Sequence, residues 1–519
     1  MGEQFDLVII GGGINGAALA ELATRKGYRA ALLEKTDFGA GVTSRSTRLI
    51  HGGLRYLEHG RVKLVRESLR ERERLLEDFP HQVRPLPFLI PVYESDSRAS
   101  WWVRAGLEAY QWIGRSRQLP AHQRLSASRL RTLEPGLNRH GLRAAFLFYD
   151  CQAAYPERLA LDMALEAERQ GAEVRNHSPV VALVGQGATV TGVRVQSGDY
   201  YRARLVVNAS GPWADQVRQL PMEGIQQAVN ARPLLSLISG THIVTGKFPG
   251  APAHAIYHEA NSDRRPFFII PWRALWLIGT TETPFEGEPG SPVPSRAEID
   301  YLLRETNLLI PGAKLNREAI LYTYAGARPL LRAAANRPQK ISREHAIYDH
   351  QKEEGLTGLL TLLGGKLTTA RSFAMQALKR IRAKLGPPAS APRILARARW
   401  SSDGIPPRLA QIYGPRAEQI VALARERPEL SRAICPACQT TAAEIVHAVR
   451  REKAQTLGDV MLRRTGAGFA PCMGLDCAPE AASVAAACLG WNPAATEAAV
   501  RAYGEELGRT LYRWKDLRI

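Results

Sequence analysis

Apolar runs that end in glycine recur along the chain and predict buried strands followed by helices. Residues 5–10 are β-branched and apolar, pass directly into the glycines of 11–16, and continue into a helical pattern. The same order of strand, glycine and helix recurs over 204–217 and over 359–378. Three such junctions, spread over 365 residues, predict one nucleotide-binding domain assembled from separated segments.

The first junction carries the strongest local signal. Gly11, Gly13 and Gly16 fill the pattern G-x-G-x-x-G, which gives a tight turn, lets a pyrophosphate approach the backbone, and packs helix on strand. A phosphate there would meet the positive end of a helix. The next predicted strand ends at Glu34, 23 residues after Gly11, where an acid can bind ribose hydroxyls. The pattern predicts a dinucleotide site and leaves NAD and FAD both open.

Composition places the chain among globular proteins. Of 519 residues, 45% are hydrophobic and 23% charged, and no run reaches the 18 apolar residues of a membrane span. The first residues lack the basic segment of a signal peptide, so we expect a chain that is not exported. Lys and Arg number 69 against 50 Asp and Glu, and this net +19 favours an anionic partner: nucleic acid, an acidic membrane, or a phosphorylated or carboxylated substrate.

A glycine pair also lies inside residues 46–61, "STRLIHGGLRYLEHGR". Gly52 and Gly53 bring His51, Arg55 and Tyr56 close together along the chain. One interpretation is a solvated surface turn, because glycine adopts backbone angles that other residues avoid. The other is a close approach of the backbone to a cofactor, with the flanking side chains facing a substrate.

Eight motifs together resemble one family. "IGGGINGA", "SRSTRLIHGGLRYLEHG", "VNASGPW", "SGTHIV", "IIPW", "IGTTET", "YAGARPL" and "GGKLTT" occur in the order found in FAD-dependent glycerol-3-phosphate dehydrogenases. The resemblance covers residues 4–385 and continues more loosely to about 470. "HGGLRYLE" is the most specific of the eight, since the glycine motif alone fits many flavoproteins.

The resemblance implies an α/β fold with three parts. A Rossmann-type FAD-binding domain is expected from residues 1–80, 140–215 and 355–385. An antiparallel-sheet substrate domain is expected from 81–139 and 216–354, and a helical C-terminal domain from 386–519. The Pro- and Ala-rich residues 386–393 are typical of a linker.

The resemblance also implies the reaction, which is oxidation of sn-glycerol 3-phosphate to dihydroxyacetone phosphate with hydride transfer to flavin. The implied substrate-binding residues, matched motif by motif, are Arg55, Tyr56, Thr280, Arg328 and Arg343. Guanidinium groups suit this role because they bind phosphate through two parallel hydrogen bonds. We expect the arginines to clamp the phosphate.

The motif segments supply the other expected site residues. Those expected to contact FAD are Gly11, Gly13, Asn15, Gly16, Glu34, Ser44, Ser46, Thr47, Ala209, Gly211, Gly365, Leu367 and Thr368. Oxidation also releases the hydroxyl proton, which needs a base. His242 and His51 are candidates because imidazole titrates near neutrality, and Lys366 is a third, with a pKa lowered by neighbouring arginines.

Residues 98–117 form a basic, aromatic-rich helical pattern. Trp101, Trp102, Tyr110 and Trp112 lie among arginines, as in helices that bind the headgroups of an anionic bilayer. The alternative is that these aromatic side chains belong to the core of the substrate domain. The resemblance implies a cytoplasmic enzyme attached peripherally to the inner face of a quinone-containing membrane, with quinone or a redox partner subunit as electron acceptor.

Five of the six cysteines lie after residue 430. Cys435 and Cys438 form C-x2-C, and Cys472 and Cys477 form C-x4-C, a set that could supply four thiolates to zinc or to a [2Fe-2S] cluster. This region resembles the small helical [2Fe-2S] domain of anaerobic-type glycerol-3-phosphate dehydrogenase subunits, although that domain opens with C-x-C. Members without a cluster have a similar helical tail, so reduced thiols are the alternative.

Two other classes of function remain open. A flavoprotein that oxidises another small acid or amine would share the glycine motifs and "NASGPW", with less need of three arginines. A flavoprotein that binds nucleic acid would explain the positive charge, but the sequence has no zinc finger, RNA-recognition signature or dense Lys/Arg tail. We therefore expect no nucleic-acid partner.

Overall fold

The computed structural model describes residues 4–227, 229–230, 232–332, 345–389, 391 and 400–514. These residues form a nine-stranded sheet, a ten-stranded sheet and a helical C-terminal region. The fold is α/β, as the sequence predicts.

The strands alternate between the two sheets along the chain, so that neither sheet is completed before the other begins. The cavity described below therefore draws on distant segments. The strand bounds are β1 Phe5–Ile10, β2 Ala30–Leu33, β3 Leu49–Ile50, β4 Val83–Tyr93, β5 Gln123–Arg124, β6 Leu142–Ala153, β7 Glu173–Arg175, β8 Val180–Gly187, β9 Thr189–Val195, β10 Tyr200–Asn208, β11 Met222–Ile225, β12 Leu235–Thr245, β13 Ala255–Glu259, β14 Pro266–Trp272, β15 Leu275–Gly279, β16 Thr283–Phe285, β17 Ile320–Leu331, β18 Ala346–Asp349, β19 Leu359–Leu363, β20 Ala433–Cys435 and β21 Thr440–Thr441.

Helices pack on both sheets, and a further group of helices follows residue 400. A π-helical turn over Asp459–Arg464 interrupts this last group. The α-helix bounds are α1 Ile14–Arg25, α2 Arg55–Glu58, α3 Val62–Asp78, α4 Ser100–Gly114, α5 Ala127–Leu133, α6 Pro156–Arg169, α7 Ala214–Arg218, α8 Arg296–Leu309, α9 His350–Glu354, α10 Ala370–Leu385, α11 Pro407–Tyr413, α12 Ala417–Glu426, α13 Ala442–Arg451, α14 Ala478–Leu489 and α15 Pro493–Thr510. Helices α1, α6 and α10 pack on the first sheet, and α8 packs on the second.

Parallel strands form the centre of the nine-stranded sheet, in the order β19, β10, β1, β2 and β7. Helices α1, α6 and α10 pack with Leu7 and Ile9 of β1 in one hydrophobic core. Because the carboxyl ends of parallel strands share one edge, the glycine turns that follow β1, β10 and β19 lie together there.

The ten-stranded sheet is mostly antiparallel. One of its long antiparallel pairs joins β12 to β17, from Leu235 opposite Leu331 to Thr245 opposite Ile320. Strands β14 and β15 pair on either side of Arg273, whose φ is 60°. This sheet faces the glycine-bearing edge of the first.

The strand pairings differ from the predicted domain boundaries at four strands. β3 lies within 1–80, assigned to the FAD-binding segments, yet it pairs with β6 in the ten-stranded sheet. β6 lies within 140–215, assigned to the FAD-binding segments, yet it pairs with β4 in the ten-stranded sheet. β11 and β18 lie within 216–354, assigned to the substrate segments, yet they pair with β8 and β19 in the first sheet. Continuous apolar runs fit either sheet, and only the pairing distinguishes them.

Buried ion pairs fasten the C-terminal region to the first sheet. Arg464 Nη2 donates to Asp37 Oδ1 at 2.9 Å, and Arg463 Nε donates to Asp37 Oδ2 at 2.7 Å. A capping box begins α13, where Glu444 accepts from the Thr441 N–H at 2.8 Å. Part of the predicted linker, 390 and 392–393, lies outside the described residues.

Helix α4 covers most of the basic, aromatic stretch. Trp101, Trp102 and Trp112 are 68%, 48% and 65% exposed, whereas Leu107 and Tyr110 are buried. The interpretation of these aromatic residues as core therefore holds for Tyr110 and is wrong for the three tryptophans. Among the described helices, α4 included, none is both long and apolar enough to span a bilayer.

Candidate active site

A cavity of about 900 Å³ opens where the glycine turns of the first sheet face the second sheet. Most of the residues selected from the sequence line it. They are Gly11, Gly13, Asn15, Glu34, Ser46, Thr47, His51, Arg55, Tyr56, Ala209, Gly211, His242, Thr280, Arg328, Gly365, Lys366, Leu367 and Thr368.

The turn after β1 has no room for side chains at two of its glycines. Gly11 has a φ of 107°, and a Cβ there would lie 2.8 Å from the Ala209 carbonyl oxygen. A Cβ at Gly16 would lie 1.9 Å from the Gly11 carbonyl oxygen, because α1 packs directly on the turn. Gly16 therefore acts through packing and does not line the cavity. Gly13 precedes the first residue of α1 and leaves the helix N-terminus open to the cavity.

Glu34 follows β2 and holds the glycine turn. Its carboxylate accepts from the Gly12 N–H at 2.6 Å and from the Thr36 N–H at 2.9 Å. Burial raises the pKa of Glu34, and these hydrogen bonds act in the opposite direction. The carboxylate borders the cavity at the position where the dinucleotide motif places a ribose.

The turn after β19 closes against α1. Gly364 and Gly365 have φ values of 73° and 94°, and the Gly364 carbonyl accepts from Asn15 Nδ2 at 3.1 Å. Asn15 thereby joins two of the three glycine junctions. The Thr368 hydroxyl accepts from the His51 N–H at 3.1 Å, which connects this turn to the Gly52–Gly53 turn.

The Gly52–Gly53 turn is buried, so its interpretation as a solvated surface turn is wrong. Gly53 has a φ of 75° and precedes α2, which begins at Arg55. The Nε of Arg55 is buried and has no hydrogen-bond partner within the described residues. Arg55 itself lines the cavity, and its guanidinium brings positive charge to a site that suits an anion.

Three neighbouring strands of the second sheet supply the opposite wall. His242 on β12 lies opposite Gly279 of β15 and Tyr324 of β17. Arg328 Nη2 donates to Thr280 Oγ1 at 2.5 Å. Thr280 thus fixes the guanidinium orientation of Arg328 beside the cavity.

Both candidate histidines are buried and neutral. Burial, together with the positive charges of Arg328 and Arg48, lowers the pKa of His242 to about 3. Its Nε2 lies 3.0 Å from Thr47 Oγ1. Burial also lowers the pKa of His51. Both imidazoles are therefore neutral at pH 7, with one ring nitrogen of each able to accept a proton, as a base requires.

Lys366 also lines the cavity, close to the α2 helix that follows the Gly52–Gly53 turn. Its Nζ lies 4.0 Å from the centre of the Tyr56 ring, a cation–π contact. The contact joins the "GGKLTT" and "HGGLRYLE" segments on one side of the cavity. An arginine, a lysine and a tyrosine therefore meet there.

One predicted residue does not take the expected place, and another lies outside the described part of the chain. Ser44 does not line the cavity, because its hydroxyl donates to the carbonyls of Ala40 and Gly41 at 3.2 and 3.0 Å and stabilises a local turn. Arg343 lies outside the described residues.

The four selected cysteines do not form a preformed metal centre. Cys435 contacts Cys438 and Cys477. No three of the four sulfur atoms lie within 4.8 Å of one another in the described chain. Tetrahedral zinc would bring all four to about 3.8 Å. Cys438 lies 3.1 Å from Thr440 Oγ1 and Cys477 donates to Gly474, so both behave as ordinary buried thiols.

Sequence reasoning missed a contact across the cavity mouth. Trp213 Nε1 and Gln216 Nε2 donate to Glu288 at 2.5 and 2.9 Å, and we call these three residues the clasp. Lys35 Nζ lies 4.0 Å from the centre of the Trp213 ring, close to Glu34. The sequence shows Pro212–Trp213 as part of the motif "VNASGPW", but no local sequence pattern links that motif to the loop that carries Glu288.

Comparison with known proteins agrees with this geometry. Residues 6–371 match the family described as FAD dependent oxidoreductase, and residues 357–496 match the C-terminal domain of alpha-glycerophosphate oxidase. A glycerol-3-phosphate dehydrogenase of Synechocystis sp. is 39% identical, with 89% of this chain and 88% of that protein covered. One of Mycobacterium leprae is 34% identical, with 94% and 86% covered.

A solved structure has the same fold. The glycerol-3-phosphate dehydrogenase from Bacillus halodurans, complexed with FAD, superposes with a TM-score of 0.76 at 24% identity, covering 98% of this chain and 95% of that one. Family match, extended identity and fold agree over most of the chain. The chain belongs to the family of FAD-dependent glycerol-3-phosphate dehydrogenases.

Proposed function

We propose that this protein oxidises sn-glycerol 3-phosphate to dihydroxyacetone phosphate with FAD as the bound oxidant. The observation that carries the proposal is that three cationic residues, Arg55, Arg328 and Lys366, line the same cavity as the glycine turns. The relatives at 39% and 34% identity are named for this activity.

The residues present fit FAD. The cavity volume of about 900 Å³ suits a dinucleotide and a small substrate together. At Gly11 and Gly365 there is no room for a Cβ atom, so backbone atoms form the cavity surface there. Glu34, Asn15 and the turns after β10 and β19 would hold the cofactor. When bound, FAD accepts a hydride.

The cationic wall binds and orients the substrate. Arg55 and Arg328 would grip the phosphate dianion through paired N–H donors, and Thr280 keeps the Arg328 fork in place. Lys366 adds a further positive charge above Tyr56. A phosphate fixed at one end of a three-carbon substrate limits the positions open to the C2 hydrogen.

His242 is the base that we favour for the hydroxyl proton, with His51 and Lys366 as alternatives. His242 is neutral and held by Thr47, and its strand neighbours β15, which ends at Gly279, the residue before Thr280. A phosphate dianion nearby would raise its proton affinity during turnover. His242→Gln should slow flavin reduction about 100-fold and leave flavin bound.

The exposed face of α4 would attach the enzyme to an anionic bilayer, on the cytoplasmic face, where quinone would accept the electrons. Trp101, Trp102 and Trp112 project outward beside Arg104, whose side chain is 64% exposed. Exposed tryptophan next to arginine suits the headgroup region. We expect native protein to sediment with anionic phosphatidylglycerol vesicles at low salt, and Trp101→Ser/Trp112→Ser to remain in the supernatant. Tyr200→Ser, an exposed aromatic on the first sheet, is the matched control.

The visible spectrum of the purified protein tests the reaction directly. Anaerobic addition of sn-glycerol 3-phosphate should bleach the flavin band and produce one dihydroxyacetone phosphate per flavin. Bleaching by glycine, with none by glycerol 3-phosphate, would instead favour oxidation of a small amine or acid and contradict the proposal.

A further inference from the structure

A buried chain of hydrogen bonds lies behind the Gly52–Gly53 turn. The Tyr110 hydroxyl accepts from the Gly52 N–H at 2.7 Å and donates to Asp150 Oδ2 at 2.8 Å. Arg72 Nη1 donates to Asp150 Oδ1 at 2.6 Å. Tyr110, Asp150 and Arg72 are 5%, 3% and 3% exposed, so water does not compete with these bonds.

The turn fits closely between two tyrosines. A Cβ at Gly52 would lie 2.4 Å from the Tyr110 hydroxyl, and one at Gly53 would lie 2.3 Å from the Tyr56 ring. Because Arg55 begins α2 two residues later, the position of the turn sets the position of its guanidinium.

The Tyr110 hydroxyl is suited to a permanent double role. Burial, with the negative charge of Asp150, raises its pKa well above the ordinary value, so the hydroxyl keeps its proton. It can then accept from Gly52 and donate to Asp150 at once. Arg72 balances the buried charge of Asp150.

We propose that Tyr110 is a positioning residue for substrate binding: it holds the Gly52–Gly53 turn so that α2 presents Arg55 and Tyr56 to the cavity. This inference rests on the proposed function. Tyr110 acts through the turn and does not line the cavity itself. Its side chain comes from α4, 58 residues away from Gly52 in sequence.

Removal of the hydroxyl should affect binding more than chemistry. Tyr110→Phe keeps the ring in the core and leaves the Gly52 N–H buried without a partner, which loosens the turn. Phosphate is remote from the reacting carbon, so its contacts serve ground state and transition state alike. We expect KM for sn-glycerol 3-phosphate to rise about tenfold, kcat to change less than threefold, and FAD content to match native protein.

The matched control is Tyr503→Phe, which removes another buried hydroxyl, one that donates to the Met473 carbonyl at 2.6 Å in the C-terminal region. It should leave KM unchanged. The dissociation constant of inorganic phosphate, measured by perturbation of the flavin spectrum, should rise with KM in Tyr110→Phe and keep its native value in Tyr503→Phe. Asp150→Asn, which keeps an acceptor for Tyr110 but loses the Arg72 pair, should raise KM about threefold.

The outcomes separate this inference from the proposed function. If glycerol 3-phosphate does not reduce native protein, the proposed function fails. If native protein is reduced, and Tyr110→Phe and Asp150→Asn both keep the native KM and phosphate affinity, the positioning role fails. A Tyr110→Phe protein that cannot retain FAD would assign the hydroxyl to folding and likewise overturn the inference.

Discussion

The two walls of the cavity bind in different ways. On the first sheet the contact surface is backbone, exposed where Gly11, Gly364 and Gly365 turn with positive φ. On the second sheet, and on α2, the surface is made of charged side chains, with Arg328 held by Thr280. A backbone surface tolerates no added atoms, whereas a side-chain surface depends on charge and orientation. The two walls should therefore fail differently when they are changed.

The largest effect should come from the backbone wall. Gly11→Ala would place a Cβ 2.8 Å from backbone atoms at a φ of 107°, so the turn must shift. We expect protein that purifies without flavin and turns over more than 1000-fold more slowly, measured by absorbance and steady-state assay. Gly246→Ala, where no atom lies within 4 Å, is the control, and equal flavin loss there would contradict the comparison.

The side-chain wall should lose substrate rather than cofactor. Arg328→Lys keeps the charge but removes the fork that Thr280 orients, so kcat/KM should fall about 30-fold with flavin still bound. Arg204→Lys changes a surface arginine that pairs with Asp6 and should have no effect. Flavin loss in Arg328→Lys would show that the two walls are not separable.

The sequence predicted the backbone wall almost completely, because its determinants are local. Gly11 and Gly16 touch each other within one turn, and the strand before them and the helix after them are visible as patterns. Ser44 shows the limit of this reasoning: its hydroxyl stabilises its own turn, which a motif match cannot distinguish from a cofactor contact.

The side-chain wall was accessible only through the family resemblance. Thr280 and Arg328 meet because β15 and β17 both pair with β12, and no local pattern specifies that pairing. The contact of Tyr110 with Gly52 and the clasp at Glu288 also join segments distant in sequence. Such contacts follow from tertiary packing, which periodicity and spacing do not encode.

The clasp adds side-chain contacts to the backbone wall, so changing it tests whether backbone contacts alone retain FAD. Glu288→Gln weakens two hydrogen bonds to Trp213 and Gln216 at the cavity mouth. We expect FAD to dissociate about fivefold faster. The rate is measured by flavin fluorescence after the protein is diluted into an excess of a flavin-binding apoprotein, which captures the released FAD. Glu286→Gln, exposed in the same loop, should release FAD at the native rate. An unchanged rate in Glu288→Gln would mean that backbone contacts alone retain the cofactor.

The smallest expected effect is on the pH dependence of the free energy of unfolding, through His242. The pKa of His242 is about 3 in the folded protein, below the ordinary 6.5, so the unfolded chain binds the extra proton. The free energy of unfolding is therefore highest above pH 6.5 with respect to this group. It decreases as the pH falls, by about 2 kcal/mol between pH 6.5 and 5, because the unfolded chain takes up the proton.

Urea denaturation at pH 7 and pH 5 measures this change. The loss should be smaller by about that amount in His242→Asn, because the variant has no imidazole to protonate on unfolding. The exposed His140→Gln should behave as the native protein does. An identical pH dependence in His242→Asn and native protein would contradict a neutral, buried His242 beside Arg328.

The central claim is that one wall holds FAD while the other selects a phosphate ester. Anaerobic stopped-flow reduction of the flavin by sn-glycerol 3-phosphate and by glycerol, in native protein and in Arg55→Ala, tests it most directly. The account predicts that native protein prefers the phosphate ester by at least about 1000-fold in second-order rate constant, or about 4 kcal/mol. Arg55→Ala should retain flavin, lose most of that preference, and keep the native rate with glycerol. Equal native rates with the two substrates, or an undiminished preference in Arg55→Ala, would contradict the account.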